Sequence, residues 1–349
     1  MSLIPAPTAA LIDQRVPWLD AEIEATLASA SPDLELYQWI RYHLGWLDEV
    51  LQPLSESERR RHGGKRLRGV LTILACEAVG GNGPSAAAAG AAIELVHNFS
   101  LVHDDVEDND ESRRHRPTVW KLWGIPQAIN TGSNMQALVD SALLRLTAHY
   151  GPERVVQALH AANQAVLLMT EGQFLDMAAE DTHGISLERY FRMTGGKTAA
   201  LLEGALRVGA MLGTDETERV EALARFGYSF GLAFQCRDDF LGIWGDPALT
   251  GKPVASDLIQ GKRSLPVVDA LTAAPEQTPE GQRLRTALRE RDVETTLSLM
   301  ESLGTQASVA ERVREHTDAA LSSLERARPE GAYGDAIRDI ARYALGRQS

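Results

Sequence analysis

The apolar residues of this chain recur every three to four positions along most of its length, which is the spacing of one face of an α-helix. Alternating runs of β-branched residues, the pattern of half-buried strands, are scarce. The sequence therefore predicts an all-α fold. Helices are expected at residues 34–51, 67–79, 86–108, 128–150, 154–179, 187–212, 216–244 and 309–326, with a further helical section after about residue 282.

Glycine and proline lie mainly between these segments, where they favour loops. None of the breaks is long enough for a linker between domains, and no internal repeat with a fixed period is present. At 349 residues, with 44% hydrophobic and 24% charged residues, the chain can form a packed core. We predict one globular domain over residues 1–349. The expected loops are residues 80–84, 123–126, 181–184, 245–247 and 274–281.

Charge and cysteine content narrow the class of protein. A net charge of −13 argues against a nucleic-acid partner, because affinity for a polynucleotide needs a broad positive field. Two cysteines cannot form a disulfide framework, which indicates a reducing compartment. The N-terminus lacks the apolar run of a signal peptide, and the most apolar stretch, residues 85–102, contains Glu94, His97 and Asn98, so no transmembrane segment is expected. We therefore predict a cytoplasmic protein.

Two aspartate-rich clusters lie far apart in the chain, and each is followed by cationic residues. The first contains Asp104, Asp105 and Asp108, and the second contains Asp238 and Asp239. Carboxylates this close together raise one another's pKa unless a cation shares them. Mg²⁺ takes oxygen ligands and completes its coordination with water and substrate phosphate. The pattern predicts a site for magnesium-bound diphosphate.

The spacing within the first cluster supports shared metal binding. On a helix, Asp104 and Asp108 project from the same face one turn apart, and Asp105 lies about 100° round the axis. The alternative is a solvated acidic helix end. The preceding residues 97–102 are too apolar for a free surface, so we favour the site.

A cationic segment precedes the first cluster. Residues 59–68 contain six lysines and arginines in ten positions, around the glycine pair at 63–64. Glycines before a helix allow backbone N–H groups to approach an anion, with Lys and Arg supplying charge. We predict a second diphosphate site here and rank a surface basic patch, a targeting signal and a nucleic-acid site below it. The dipeptide 197–198, after two glycines, is a weaker version of the same signal.

Taken in order, these segments closely resemble the trans-isoprenyl diphosphate synthase family, also called polyprenyl synthetases. The resemblance covers about residues 60–265. It consists of GGKRLR at 63–68, VHNFSLVHDDVED at 96–108, RRHRPT at 113–118, GQFLD at 172–176, KT at 197–198, QCRDD at 235–239, GK at 251–252 and DLIQGKR at 257–263.

The resemblance implies an all-helical bundle around a deep central cavity, assembled as a homodimer, with the aspartate motifs facing each other across the cavity mouth. It implies Mg²⁺-dependent, head-to-tail condensation of isopentenyl diphosphate with allylic diphosphates. Mg²⁺ would be held by Asp104, Asp105, Asp108, Asp238 and Asp239.

The other roles implied by the resemblance concern the two substrates. The allylic diphosphate would contact Arg113, Lys197, Lys252 and Lys262, and isopentenyl diphosphate would contact Lys65, Arg68, His97 and Arg114. Thr198 and Gln235 would face the developing allylic cation. Lys, Arg and metal would stabilise the departing diphosphate, so no nucleophilic side chain is required.

Two positions depart from the family pattern. Gly242 stands where a third aspartate is common in the second motif, and Ser133 stands where aspartate is expected. Asp246 lies eight residues after Asp238, but Gly245 and the proline that follows Asp246 predict that the helix ends first. If one metal position is weak, Gly242→Asp is expected to lower the Mg²⁺ concentration needed for half-maximal rate.

These departures leave other functions open. The chain would be a weak or non-catalytic regulatory subunit of a heteromeric prenyl synthase if the second motif has lost its metal. A metal phosphohydrolase built on His103 and Asp104 leaves the segment with Lys65 and Arg68 unexplained. A terpene cyclase would not need those cationic residues.

Product length is predicted from the residues before the first cluster. Phe99 lies five residues before Asp104, about 7.5 Å along the helix axis, and Ser100 lies one turn before it. An aromatic residue five positions before the cluster, followed by a small residue, most resembles the pattern of C20 synthases. We predict geranylgeranyl diphosphate as the main product and farnesyl diphosphate as the alternative. Phe99 would otherwise simply pack in the core.

Overall fold

The computed structural model describes residues 4–30, 33–180, 185–250 and 253–346. Within these ranges the chain is almost entirely helical, which confirms the predicted all-α fold. The helices are α1 (Ala6–Ala28), α2 (Glu35–His43), α3 (Glu56–His62), α4 (Leu67–Ala78), α5 (Gly83–Glu107), α6 (Val119–Trp123), α7 (Ile125–Leu144), α8 (Pro152–Glu180), α9 (Leu187–Thr194), α10 (Ala200–Gly213), α11 (Thr217–Trp244), α12 (Pro247–Thr250), α13 (Ser256–Gln260), α14 (Leu265–Ala273), α15 (Pro279–Glu290), α16 (Val293–Ser302), α17 (Thr305–Arg326) and α18 (Gly331–Leu345).

Four short elements accompany these helices in the described chain. Strands β1 (Ser112–Arg113) and β2 (Arg116–Pro117) form an antiparallel hairpin after α5. A 3₁₀ turn (Arg145–Ala148) extends α7, and a π-helical turn (Gly195–Ala199) joins α9 to α10. Helices α4, α5, α8 and α11 begin and end within three residues of the predicted segments.

The predicted helix at residues 34–51 is too long, because α2 ends at His43. Gly45 follows in the left-handed conformation with a φ of 77°. Its N–H donates to the Tyr42 carbonyl, and the N–H of Trp46 donates to the Arg41 carbonyl, each at 2.9 Å. This pair of bonds is a Schellman motif, which satisfies the last carbonyls of a helix and stops it.

The predicted continuous helix at residues 187–212 is also wrong, since the π-helical turn divides it into α9 and α10. The turn lies against α8, and a Cβ atom on Gly196 would lie 2.5 Å from the carbonyl oxygen of Leu168. The close approach of the two backbones therefore requires glycine here. Single π-helical turns inside helices are frequent at functional sites.

The core is built around α5. Its neighbours α2, α7 and α8 bury one apolar cluster with it, and α1, α4, α10, α11, α17 and α18 bury another. Helices α4 and α5 cross at Gly69 and Gly90, where a Cβ on either residue would lie within 3 Å of the other's carbonyl oxygen. This crossing brings the start of α4 beside the middle of α5.

Helix α5 is the one described helix that is long and apolar enough to cross a membrane by length and composition. Most of its apolar stretch, 78%, is buried inside the bundle, as in the core helix of a globular protein.

Candidate active site

The first aspartate cluster lies at the C-terminal end of α5. Asp105 is only 1% exposed and accepts a 2.6 Å hydrogen bond from Nε of Arg113 on β1. Burial raises the pKa of Asp105 to about 6, although Arg113 opposes the shift. Burial also raises the pKa of Asp104 to about 6, opposed by Lys197 and reinforced by Asp108. A cation beside these carboxylates would therefore stabilise their ionised forms.

Lys197 projects from the π-helical turn toward this cluster. Its Nζ lies 2.5 Å from Oδ2 of Asp176 on α8. Burial lowers the pKa of Lys197, but Asp176, Asp104 and Asp108 together raise it above its ordinary value. The ammonium group is therefore held charged among three carboxylates.

The next residue of the same turn faces the second motif. Thr198 Oγ1 donates to Gln235 Oε1 at 3.0 Å, and Gln235 Nε2 donates to Asp239 Oδ1 at 2.8 Å. Lys197 and Thr198 therefore connect the two aspartate motifs through one turn of backbone. We regard this turn as the centre of the site.

The two aspartates of the second motif have different surroundings. Asp238 is exposed at the side of α11. Asp239 is 7% exposed, and its Oδ2 accepts hydrogen bonds from Tyr190 Oη at 2.6 Å and from the Leu265 N–H at 2.7 Å. With Gln235 on its other oxygen, Asp239 ties α11 to α9 and α14. Asp238 is the carboxylate that remains accessible to an added cation.

The cationic loop before α4 is the third part of the site. Arg68 Nη1 lies 3.2 Å from His97 Nε2 at the crossing of α4 and α5. Burial and the Arg68 charge hold the pKa of His97 well below 6.5, so His97 is neutral and its Nε2 accepts from Arg68. Burial also lowers the pKa of Arg68, opposed by Glu94.

The hairpin between β1 and β2 joins this loop to the first aspartate cluster. Its two turn residues, Arg114 and His115, have φ values of 51° and 63°, as in a two-residue type I′ turn. The Arg114 guanidinium lies over Gly64 and donates to the His62 carbonyl at 3.3 Å. Burial, with the positive charge of nearby arginines, lowers the pKa of Arg114 to about 10. Arg113 thus faces the acidic first cluster, whereas Arg114 faces the basic loop.

The remaining predicted lysines lie at the edges of the site. Lys65 is exposed, and its Nζ lies 3.1 Å from Oη of Tyr343 on α18 and 4.9 Å from the centre of that ring. Lys262 is exposed just after α13. Lys252 lies outside the described residues.

Phe99 and Ser100 occupy different faces of α5. Phe99 is 5% exposed and packs within the core of α5 and α7, where its ring meets the edge of His103 at 5.9 Å. Ser100 is half-buried and donates to the His97 carbonyl. His103 in turn packs against Gly132 on α7, so its ring turns away from Asp104. This orientation argues against a phosphohydrolase built on the His-Asp pair.

The two positions that depart from the family pattern also lie apart from each other. Ser133 is exposed and lines an open groove of about 550 Å³ between α2 and α7. Gly242 is buried in α11, beside Asp257. Asp246 lies beyond the end of α11, where its Oδ1 accepts from the Ala248 N–H, so the prediction that the helix stops first is confirmed.

The residues present fit a divalent cation. Oδ2 of Asp105 is buried and has no hydrogen-bond partner, which is costly for an isolated carboxylate and favourable beside a cation. Across the described ranges, no three His, Cys, Asp or Glu side chains converge into a closed cage. Mg²⁺ sites of polyphosphate enzymes use one or two carboxylates and leave the remaining positions to phosphate and water. The donor set suits that kind of site.

Sequence reasoning did not assign roles to two residues that organise the site. Asp176 holds Lys197 in place through a hydrogen bond. It lies in the GQFLD stretch, which by itself resembles a polar helix face. Tyr190 holds Asp239 and carries no signal in the sequence. Only the packing of α9 against α11 brings it there.

The β1–β2 hairpin and the π-helical turn bring a cationic loop and two aspartate motifs together in one helical bundle, an arrangement that suits a diphosphate carried with a divalent cation. The sequence profile of the family described as polyprenyl synthetase matches residues 47–302. A polyprenyl synthetase from Streptomyces coelicolor A3(2) has a crystal structure similar to this chain, with a TM-score of 0.84, 33% identity, and 97% of this chain and 99% of that one covered.

Two mycobacterial relatives are similar over most of their length. The chain is 40% identical over 287 residues to a geranylgeranyl diphosphate synthase of Mycobacterium tuberculosis, covering 81% of this chain and 79% of the relative. It is 37% identical over 319 residues to a (2E,6E)-farnesyl diphosphate synthase of the same organism, covering 89% and 86%. The chain belongs to the polyprenyl synthetase family, as its motifs indicated. It is a trans-prenyltransferase.

Proposed function

We propose that this chain condenses isopentenyl diphosphate head-to-tail with allylic diphosphates, using Mg²⁺, and that its main product is geranylgeranyl diphosphate. The observation that carries the proposal is the π-helical turn. Its Lys197 pairs with Asp176 and lies close enough to Asp104 and Asp108 for their charges to raise its pKa, while Thr198 bonds to Gln235 of the second motif. A diphosphate bound between the motifs would lie beside that turn.

The acidic half of the site suits the allylic diphosphate. Asp104, Asp105, Asp108 and Asp238 would hold Mg²⁺, which supplies positive charge to the departing diphosphate. Lys197 adds a fixed ammonium group beside the same oxygens. Lys252 and Lys262 are proposed as further contacts from the segment after α11. Asp239 would act by holding Gln235 in place.

The basic half suits isopentenyl diphosphate. Arg68, Arg114 and Lys65 present guanidinium and ammonium groups around the glycine loop, and neutral His97 accepts from Arg68 while leaving its other nitrogen as a donor. Arg113 is already paired with Asp105, so it links the two halves. Two diphosphates placed together repel strongly, which explains this concentration of cations in an acidic protein.

The reaction follows from this division. The allylic C–O bond breaks, and the bonding electrons leave with the diphosphate, whose charge the cations stabilise. The double bond of isopentenyl diphosphate attacks the allylic carbon, and the new C–C bond forms. The coupled product is a carbocation, and the departing diphosphate removes a proton from the adjacent carbon, whose C–H electrons form the new double bond. Thr198 and Gln235 present side-chain oxygens toward the electron-poor carbon, and the surrounding helices exclude water.

A turnover assay tests the proposal. Purified protein, Mg²⁺ and isopentenyl diphosphate are incubated with allylic diphosphates of C5, C10 or C15, and the products are sized by chromatography. We expect C20 as the main product and no activity in excess EDTA. Asp104→Asn and Asp238→Asn are each expected to lower turnover by at least about 100-fold, because each removes charge from the departing diphosphate's site.

Asp110→Asn is the matched control, since it removes a neighbouring exposed carboxylate outside the motif and is expected to keep most of the activity. Activity that survives EDTA, or that both motif variants retain, would contradict the proposal. An inactive wild-type chain would instead favour a regulatory subunit, the alternative that the glycine in the second motif leaves open.

Product length needs its own test, because one relative is named a farnesyl diphosphate synthase and the other a geranylgeranyl diphosphate synthase. The buried ring of Phe99 beneath the first motif would limit the cavity available to the growing chain. Phe99→Ala, and the milder Phe99→Leu, are expected to shift the products toward C25 and longer. Chromatographic sizing of the products checks this.

Phe226→Leu trims a buried ring in the other apolar cluster, so it is expected to lower stability without changing product length. A wild-type enzyme that stops at C15 makes the C20 prediction wrong. Phe99 variants with an unchanged profile would assign the ring to core packing alone.

We also infer that the chain acts as a homodimer of single-domain subunits in the cytoplasm. Val156, Leu167 and Phe174 repeat at intervals of 11 and 7 residues along α8, so they form one stripe, and each is more than half exposed. A long apolar stripe left exposed is typical of a subunit interface. Both cysteines are free and buried, which suits a reducing compartment.

A further inference from the structure

The carboxylate of Asp257 lies against the position at which the second aspartate motif carries glycine. Gly242 follows Asp238 by four residues on α11, so both lie on the same face one turn apart. A Cβ atom on Gly242 would lie 2.5 Å from Cγ of Asp257. Asp257 is 7% exposed. Its carboxylate therefore fills the volume where a side chain at position 242 would begin.

The backbone holds Asp257 in this position. The Ala255 N–H donates to the Ile243 carbonyl at 3.1 Å, and Ser256 Oγ donates to the Gly242 carbonyl at 3.2 Å. Ala255 has a φ of 56°, which turns the chain sharply into α13. Because the segment is bonded to the end of α11 itself, Asp257 and Asp238 belong to one rigid unit.

Simple geometry places the two carboxylates within reach of one cation. Cβ atoms four residues apart on a helix lie about 6 Å from each other. The Asp257 carboxylate carbon lies 2.5 Å from the Cβ position of residue 242, so the carboxylate lies about one helical turn from Asp238. Asp246 is not an alternative, since its carboxylate caps the start of α12.

We propose that Asp257 supplies, from α13, the carboxylate that the second motif lacks at Gly242, and that Asp238 and Asp257 together bind the cation on this side of the diphosphate. The proposal rests on the proposed prenyl transfer and deepens its metal site. It also revises the expectation for Gly242→Asp. The new side chain would overlap a buried carboxylate and add a like charge, so it is expected to lower stability and weaken metal binding.

The test measures Mn²⁺ binding by electron paramagnetic resonance in the presence of inorganic diphosphate, together with thermal unfolding of each variant. Asp257→Asn keeps the side-chain shape and removes the charge, and is expected to weaken Mn²⁺ binding by about 10- to 100-fold. Gly242→Asp alone is expected to lower the melting temperature and the affinity. The exchange variant Gly242→Asp/Asp257→Gly moves the carboxylate to α11. It is expected to recover most of the melting temperature and most of the Mn²⁺ affinity.

Two controls separate this proposal from the proposed function. Asp246→Asn removes a nearby carboxylate that does not face Gly242, and is expected to bind Mn²⁺ as wild type does. Asp104→Asn removes a carboxylate of the first motif and tests whether Mn²⁺ binds there. If Asp104→Asn weakens binding but Asp257→Asn does not, the assignment of Asp257 is overturned and the prenyl-transfer site stands. If neither weakens it, the metal site itself is wrong. Failure of the exchange variant to improve on Gly242→Asp would also overturn the assignment.

Discussion

Burial decides what each charged residue of this site does. Asp238 and Asp239 are adjacent in sequence, yet one is exposed and the other accepts hydrogen bonds from three protein groups. His97 carries no charge because it is buried beside Arg68. Such differences between chemically equal residues arise from position, and they divide the carboxylates into those that remain accessible to cations and those that hold the framework.

The neutral state of His97 leads to a prediction about pH. The unfolded chain takes up a proton at His97 below pH 6.5, whereas the folded chain does so only well below that pH. The stability that His97 contributes is therefore complete above pH 6.5 and is lost as the pH falls. Relative to His97→Gln, which still accepts from Arg68 but cannot titrate, the wild type is expected to lose up to about 1.4 kcal/mol of unfolding free energy per pH unit.

Urea unfolding of both proteins at pH 8.0, 7.0, 6.0 and 5.5 measures the difference. Curves that stay parallel over this range would show that His97 takes up its proton over the same pH range in the folded and the unfolded chain, contrary to the hydrogen bond assigned here.

At the level of elements, the packing of α8 against the π-helical turn positions Lys197. A Cβ atom on Gly172 of α8 would overlap the backbone nitrogen of Lys197. The turn and α8 therefore approach as closely as two backbones can. This contact places Lys197 between Asp176 and the first aspartate motif.

Gly172→Ala is expected to push the turn away from α8. The overlap is with backbone, which cannot rotate aside, so we expect a loss of about 1–3 kcal/mol in stability. We also expect a rise in KM for the allylic diphosphate with little change for isopentenyl diphosphate, because Lys197 moves and Arg68 does not.

Gly151→Ala is the matched control, since nothing lies within 4 Å of the added methyl group. It is expected to keep both stability and KM. A Gly172→Ala enzyme with normal KM for both substrates would show that the position of Lys197 does not depend on this contact.

At the level of the whole molecule, the first and last described helices, α1 and α18, both pack on α4. Arg15 of α1 makes a buried, two-pronged ion pair with Glu77 of α4. Tyr343 of α18 contacts Lys65 of the basic loop. Helix α8 presents the exposed apolar stripe that we assign to the partner subunit.

The assembly prediction follows from that stripe. Sedimentation analysis is expected to give twice the chain mass of 38.0 kDa for the wild type. Leu167→Glu places a charge at the centre of the interface and is expected to shift the protein toward monomer. Val50→Glu, at a residue 74% exposed outside α8, is the control and is expected to remain dimeric. A wild type that sediments as a monomer at micromolar concentration would contradict the assignment.

Much of this architecture could be read from periodicity and motifs. The apolar spacing predicts α4, α5, α8 and α11 closely, because each helix buries a continuous face and the spacing records it. The motif residues Asp104, Asp238 and Lys197 are recognisable because their chemistry depends on residue type and local order. The end of α2 at His43 does not follow from the spacing, since the left-handed turn depends on the single glycine at position 45, whose neighbours have helical spacing.

What the sequence could not supply are the contacts made across the fold. Tyr190 reaches Asp239 from 49 residues away, and Asp257 reaches Gly242 from a different helix. Gly242 resembles a lost ligand when only neighbours in the chain are considered. In the folded protein it is the space that admits another carboxylate. Local spacing determines which face a residue occupies, whereas burial and partners depend on segments that meet only when the core closes.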